Sequence, residues 1–275
     1  MTIFLSQEYV KQDVGELALI FWVLRRLPPA EEPEMTQKAK TESKARPGTR
    51  LRGALAEAYD SRGDLKSILW LHYSPTARED VVFRSQLEYL HFLQIEWDSR
   101  IASINYRPQK RVARVAGEVL GTIVDAEITL HSGEIIWREV KYKADLEAGA
   151  ANRANLQLLI QLQAARDENV RHEVVTEEQL YRSPMALRNA HRAMAWLAGA
   201  RHFVLTDAES QVLCLLRRLK AFEFGHVLKM DDPKLSALLG AAVLNLARRG
   251  RIHSDLDAHP FSGRTRFYLG DDDGN

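Results

Sequence analysis

Two carboxylates and a lysine, Asp125, Glu139 and Lys141, lie within one short stretch, "VDAEITLHSGEIIWREVKYK", residues 124–143. Their types suit one chemistry in particular. Hard divalent cations such as Mg²⁺ take oxygen ligands and usually keep several waters and substrate phosphate oxygens in their shell. A Mg²⁺ ion, or Mn²⁺ as its substitute, held by Asp125 and Glu139 would polarise a scissile phosphate and lower the pKa of a bound water. Lys141 would orient that water or stabilise charge growing on the phosphorane-like transition state. Glu88, on the helix that precedes the strands, would complete the site as a third carboxylate.

Whether the two carboxylates meet is decided by the turn between them. Strand side chains alternate faces. Glu139, Lys141 and Lys143 therefore share a face with Ile135 and Trp137, while Ile136, Val140 and Tyr142 take the other. A two-residue loop at Ser132-Gly133 would pair Asp125 with Val140, on the wrong side. A three-residue loop, His131-Ser132-Gly133, with the glycine in the left-handed position, pairs Leu130 with Glu134 and sets Asp125 opposite Glu139. The competing account makes these residues cross-strand ion pairs on a solvated face, each contributing only ~0.2–1 kcal/mol. Spacing alone leaves both open.

The elements that would carry these residues follow from the apolar pattern. "RSQLEYLHFLQIEW" places Leu87, Leu90, Leu93 or Ile95, and Trp97 on a helical face. The stretch from Ser103 to Lys143 is rich in β-branched residues, with its hairpin signal at "HSG". "NRANLQLLIQLQAARDEN" reads as a helix and "HEVVT" as a short strand. A second unit begins near residue 185. "MALRNAHRAMAWLAGAR" is helical, Thr206 and Glu209 form a capping-box pattern, and "SQVLCLLRRLKAF" continues that helix. Asp232-Pro233 opens another helix, which Gly250 closes. "RIHSDLD" and "TRFYLG" then read as two strands, so the unit suggests a winged-helix module.

The expected organisation is thus an N-terminal helix (1–27), a basic flexible linker (28–52), a helical lead-in (53–83), an α/β domain (84–182) and a C-terminal module (185–275). The linker holds six basic residues, Lys38, Lys40, Lys44, Arg46, Arg50 and Arg52, without an apolar period. It reads as a solvated tether or as a segment that touches phosphates. In a chain of 275 residues the net charge is only +1, so affinity for nucleic acid must come from local clusters of basic residues. The single cysteine, Cys214, sits in an apolar helical pattern and is expected to be buried; a reducing cytosolic compartment fits. The apolar run "LALIFWVL" is far short of the ~20 residues that span a bilayer. Acidic Asp13 and Glu16 precede it and Arg25 and Arg26 follow, the reverse of a signal peptide.

The order helix Glu, strand Asp, strand Glu-x-Lys resembles the PD-(D/E)xK restriction-endonuclease-like nucleases. More narrowly, "SQLEYLHFLQIEWDSRIASINYRPQKRV" resembles the start of the TnsA endonuclease family, through Ser85, Glu88, Phe92-Leu93, Glu96, Asp98, Tyr106 and Gln109. "VVTEEQL", Val174 to Leu180, resembles that family's closing strand. The chain departs from the family at Val124, Ala126 and Ser99, where Pro, an aromatic residue and Pro are usual. The resemblance implies a restriction-endonuclease-like core with a mixed central sheet flanked by helices, followed by a winged-helix domain. It makes Glu88, Asp125 and Glu139 metal ligands and Lys141 the catalytic lysine. It implies a cut-and-paste transposase subunit that hydrolyses the non-transferred strand at the 5′ ends of a transposon. Its partners would be double-stranded DNA at those ends, a DDE-type (TnsB-like) transposase, and an AAA+ (TnsC-like) regulator bound through the C-terminal domain. A cytoplasmic, nucleoid-associated protein is implied, with no membrane. The alternatives are an inactive DNA-binding or assembly factor, and a nuclease of repair or restriction.

Further candidates for DNA contact are Gln109, Lys143, and Gln157 with Gln161, which lie four apart on one helix face and could contact DNA or a bound water, but read first as half-exposed polar residues. In the C-terminal module Arg248, Arg249 and Arg264 are candidates, with Lys234, Asn245, Arg251 and Arg266 near them; a protein-docking role is equally open. His91 and His131 read as packing or surface residues.

Overall fold

The computed structural model describes residues 68–115, 117–148 and 153–270. The expected N-terminal helix, the basic linker and the start of the lead-in lie outside the described residues. The described part of the lead-in corrects the expectation of a helix. Strands β1 (Trp70–Ser74) and β2 (Glu79–Phe83) form an antiparallel hairpin that pairs Trp70 with Phe83. Its residues are aromatic and β-branched, which favours a pleated, half-buried strand over a helix, and Arg78 closes the turn at φ 57°.

Helix α1 (Gln86–Glu96) starts at Ser85, whose hydroxyl accepts from the Glu88 N–H at 3.1 Å. It buries Leu87, Tyr89, Phe92, Leu93 and Ile95, so it is apolar nearly all round and packs on several neighbours. After it come β3 (Ile101–Asn105), a separate hairpin of β4 (Arg111–Val115) and β5 (Glu118–Thr122), β6 (Ala126–Leu130) and β7 (Ile135–Val140). A short helix α2 (Lys143–Glu147), helix α3 (Arg153–Asp167) and β8 (Arg171–Val175) complete this half. The main sheet has the order β3-β6-β7-β8; its first two pairings are antiparallel and β7–β8 is parallel. The parallel step requires a crossover, and α3 supplies it. Ile95 of α1 packs with Ile104, Ile128 and Ile136 on one face, while Ile160, Ala164 and Ala165 of α3 pack with Trp137 on the other. The chain is therefore mixed α/β, with a mixed sheet flanked by helices.

The C-terminal half runs through α4 (Glu177–Leu180), α5 (Pro184–Gly199), α6 (Thr206–Leu219), β9 (Ala221–Glu223), α7 (Phe224–Leu228), α8 (Pro233–Arg248), β10 (His253–Ser254) and β11 (Arg266–Tyr268). Asp232 caps α8 through bonds from Lys234 and Leu235, and Gly250 follows it at φ 66°, both as expected. Three expectations are corrected. The helix read through "LKAF" stops at Leu219; Lys220 turns left-handed, and Ala221–Glu223 becomes the edge of a three-stranded sheet ordered β10-β11-β9. The Thr206–Glu209 capping box does not form, because Glu209 accepts from Asn245 Nδ2 at 2.6 Å and Leu205 stands at the cap. Cys214 is exposed, because α6 turns Val212, Leu215 and Leu216 inward.

One buried cluster runs without a break from Val81, Phe83, Tyr89 and Phe92 into Leu197, Leu216, Phe224 and Leu244, so the two halves share a core. At their junction Glu96 is 1% exposed. It accepts from Ser74 Oγ, from Thr76 Oγ1 at 2.7 Å and from Tyr106 OH at 2.9 Å, and pairs with Arg248 at 3.4 Å. No helix among the described residues is long and apolar enough to cross a membrane.

Candidate functional site

The turn between β6 and β7 decides the site, and it is the three-residue loop. Leu130 N–H donates to Glu134 O at 2.9 Å, Gly133 N–H donates to Leu130 O at 2.9 Å, and Gly133 sits at φ 87°. Ala126 pairs with Arg138, which places Asp125, one residue earlier, opposite Glu139. Asp125 also reaches past that position: its Oδ2 accepts from Val140 N–H at 2.7 Å, tying the carboxylate to the end of β7.

Glu139 is 1% exposed and lies beneath α3. Lys141 Nζ approaches its Oε1 at 2.6 Å. Gln157 Nε2 donates to the same oxygen at 3.1 Å, and Gln161 Nε2 donates to Oε2 at 2.7 Å. Gln161 is itself held by Ile123 O at 3.2 Å and by His172 Nε2 at 3.1 Å. That arrangement requires His172 to carry its proton on Nε2, since the glutamine oxygen can only accept. Burial lowers the His172 pKa, against the opposing pull of the Glu139 and Glu173 carboxylates. Lys141 stays on Glu139's side because its own N–H donates to Val175 O at 3.1 Å, prolonging the strand by one step.

Negative charge in this corner is under-compensated. Burial, then the Glu139 and Glu88 carboxylates, push the Asp125 pKa up to about 8, against the opposing pull of the Val140 N–H and Lys141. No family model matches the sequence, and no curated protein matches it. The chemistry therefore rests on the residues themselves. A buried Asp125 carboxyl set beside the Glu139 carboxylate fits a cation, which would offset the crowded negative charge. Asp125 and Glu139 would supply the protein oxygens, the one or two carboxylates that Mg²⁺ usually takes from a protein. A ready three-carboxylate cage is absent: among the described residues no three His, Cys, Asp or Glu side chains stand together as metal ligands. Glu88 accepts at its own helix start from Arg84 N–H, through Oε2 at 3.0 Å, and its charge helps raise the Asp125 pKa.

Several sequence-based assignments change. Lys143 leaves the strand and starts α2. Its N–H donates to Glu177 and its ammonium pairs with Glu178 at 2.8 Å, so it does not share the Glu139 face. Gln161 is fully buried, which excludes direct contact with a duplex, and with Gln157 it orients Glu139 instead. Their spacing of four on one helix face was the signal, and it pointed inward to the carboxylate. Arg248 is buried against Glu96, Thr76 and Asn245 rather than presented along an exposed helix face. Gln109, Arg249 and Arg264 are exposed, as a contact role requires. His91 is buried, and burial, then the nearby Arg138 charge, lowers its pKa to about 3; His131 is exposed at the turn. His172 was missed, because it shows no distinctive spacing; Glu96 entered only through the resemblance, and its buried pairing with Arg248 was not foreseen.

Proposed function

We propose that this chain is a Mg²⁺-dependent DNA endonuclease of the restriction-endonuclease-like class, resembling the TnsA subunit of cut-and-paste transposases. The observation that carries the reading is the register that sets Asp125 opposite Glu139, with Lys141 at 2.6 Å from the latter. The strand order, with its antiparallel hairpin followed by a parallel fourth strand, supports a restriction-endonuclease-like core. The order α6-β9-α7-α8-β10-β11 supports a winged-helix module.

The residues would divide the work as follows. Asp125 and Glu139 hold the divalent ion, and the two glutamines fix the Glu139 carboxylate so that it need not reorganise during reaction. When bound, the ion polarises the phosphate and lowers the pKa of a water on it. Lys141 moves from Glu139 towards the phosphate and offsets negative charge as water adds to phosphorus. The bond from phosphorus to the 3′ oxygen breaks as the water oxygen bonds; the water gives up one proton to solvent and the 3′ oxygen takes one from solvent, giving 3′-hydroxyl and 5′-phosphate ends. In the resemblance the strand cut is the non-transferred strand at transposon 5′ ends, within an assembly with a DDE-type transposase and an AAA+ regulator.

A second reading has one observation in its favour. Lys141 and two glutamines already satisfy Glu139, as they would in an inactive DNA-binding factor built on the same fold. Duplex DNA affinity in EDTA and in Ca²⁺, which supports binding without efficient cutting in many such sites, separates the two. The nuclease reading expects Ca²⁺ to tighten binding by wild type and not by Asp125→Asn. Equal affinities for both proteins under both conditions support the inactive factor.

A further inference from the structure

A cationic concavity lies away from the carboxylates. A cleft of about 610 Å³ opens between the first half of the chain and the C-terminal helices. His131, at the β6–β7 turn, lines it, whereas Asp125 lies at the opposite end of β6. The six steps between them, at roughly 3.3 Å each, amount to about 20 Å. This is a separate place on the protein.

Its chemistry is that of guanidinium groups. Arg78, Arg249 and Arg251 line it and are exposed, and none of the three enters an ion pair among the described residues. The two carboxylates on its wall are already engaged. Asp98 is held by Arg100 at 2.6 and 2.8 Å, and Glu209 by Asn245 at 2.6 Å. One further observation points to a ligand. Arg248 is buried in the cleft floor with its Nε–H lacking any acceptor among the described residues, an unusual state for a buried charged donor. Arg78 stands in the β1–β2 turn, at φ 57°. Exposed Phe203 offers an apolar wall beside these groups.

We propose that this cleft is a phosphate-binding site, gripped by Arg78, Arg249 and Arg251 and distinct from the carboxylate centre. Planar guanidinium forks match phosphate oxygens in pairs, whereas a scattered surface charge does not. The phosphate comes from a nucleic-acid backbone or from a free polyphosphate, and the test separates these sources. The site does not depend on the nuclease reading, because none of its residues touches Asp125, Glu139 or Lys141.

The experiment uses the full chain in EDTA, with two probes: a fluorescent short DNA duplex and inorganic tripolyphosphate. Wild type is compared with a variant carrying Arg78→Asn, Arg249→Ser and Arg251→Ser, and with a control carrying Arg114→Ser, Arg217→Ser and Arg218→Ser. Asn suits the left-handed position, so the fold should persist. The cleft variant is expected to lose at least about tenfold in affinity relative to the control, and its salt slope on DNA to fall by roughly 0.9 per lost contact. Loss on DNA alone assigns the backbone as source, and loss on tripolyphosphate alone assigns the free anion. Should the variant fold poorly, protection of wild-type arginines from phenylglyoxal by either probe reads the same site. Equal affinities in cleft and control variants, or no protection of Arg78, Arg249 and Arg251, overturns the proposal, and Mn²⁺ binding at the carboxylates would be untouched by that result.

Discussion

Asp125 carries an energetic conflict that can be measured. With its pKa raised to about 8 in the metal-free protein, against an ordinary value near 3.9 in the unfolded chain, its effect on stability has a definite sign. The contribution of the neutral carboxyl is fully present below the unfolded pKa and is lost as pH rises through about 8. Asp125→Asn keeps an acceptor for the Val140 N–H without the charge. It should therefore stabilise the metal-free protein by roughly 1–3 kcal/mol at pH 9 and by little at pH 4, as read from urea unfolding at the two values. A destabilised Asp125→Asn at pH 9 would contradict the like-charge account. Gln161→Leu should lower stability by about 1–3 kcal/mol, because it strips a donor from a carboxylate that is 1% exposed. It should also weaken cation binding. An unchanged midpoint and an unchanged Mn²⁺ affinity would remove Gln161 from the site.

At the scale of elements, the β6–β7 turn does the positioning. Ser132→Asn creates an Asn-Gly pair that favours a two-residue loop at 132-133, which pairs His131 with Glu134 and sets Asp125 opposite Val140. The far-ultraviolet spectrum should survive while cation binding is lost, and retention of binding would show that register is not what gathers the carboxylates. This register was legible in the sequence, because only the three-residue loop uses Gly133 at a left-handed position while bringing Asp125 to Glu139. The partners of Glu139 were less legible. Gln157 and Gln161 showed their spacing but not their direction, since a helix face acquires an inside only through packing. The hairpin of β1 and β2 was misread because strands this short lack a strong period, and they are stabilised mainly by burial against Tyr89 and Phe92. Lys143 was misplaced because the Glu177 carboxylate, far away in sequence, draws its N–H out of the strand.

Across the whole molecule, the continuous core and the Glu96–Arg248 contact join the halves that composition alone divided near residue 185. Arg248→Ala leaves the Glu96 carboxylate buried without its cation, and should cost about 3–5 kcal/mol by chemical denaturation; a loss under about 1 kcal/mol would make the contact incidental. The central claim, though, is that the strand carboxylates gather a divalent cation. Calorimetric titration of Mn²⁺ into wild type, Asp125→Asn and Glu139→Gln at pH 8, repeated with a short DNA duplex present, tests it most directly. The expected result is a saturable heat in wild type that both substitutions abolish. Absence of any heat in wild type even with DNA, or equal heats in all three proteins, would contradict the claim and leave Asp125, Glu139 and Lys141 as an ion-paired corner of the sheet.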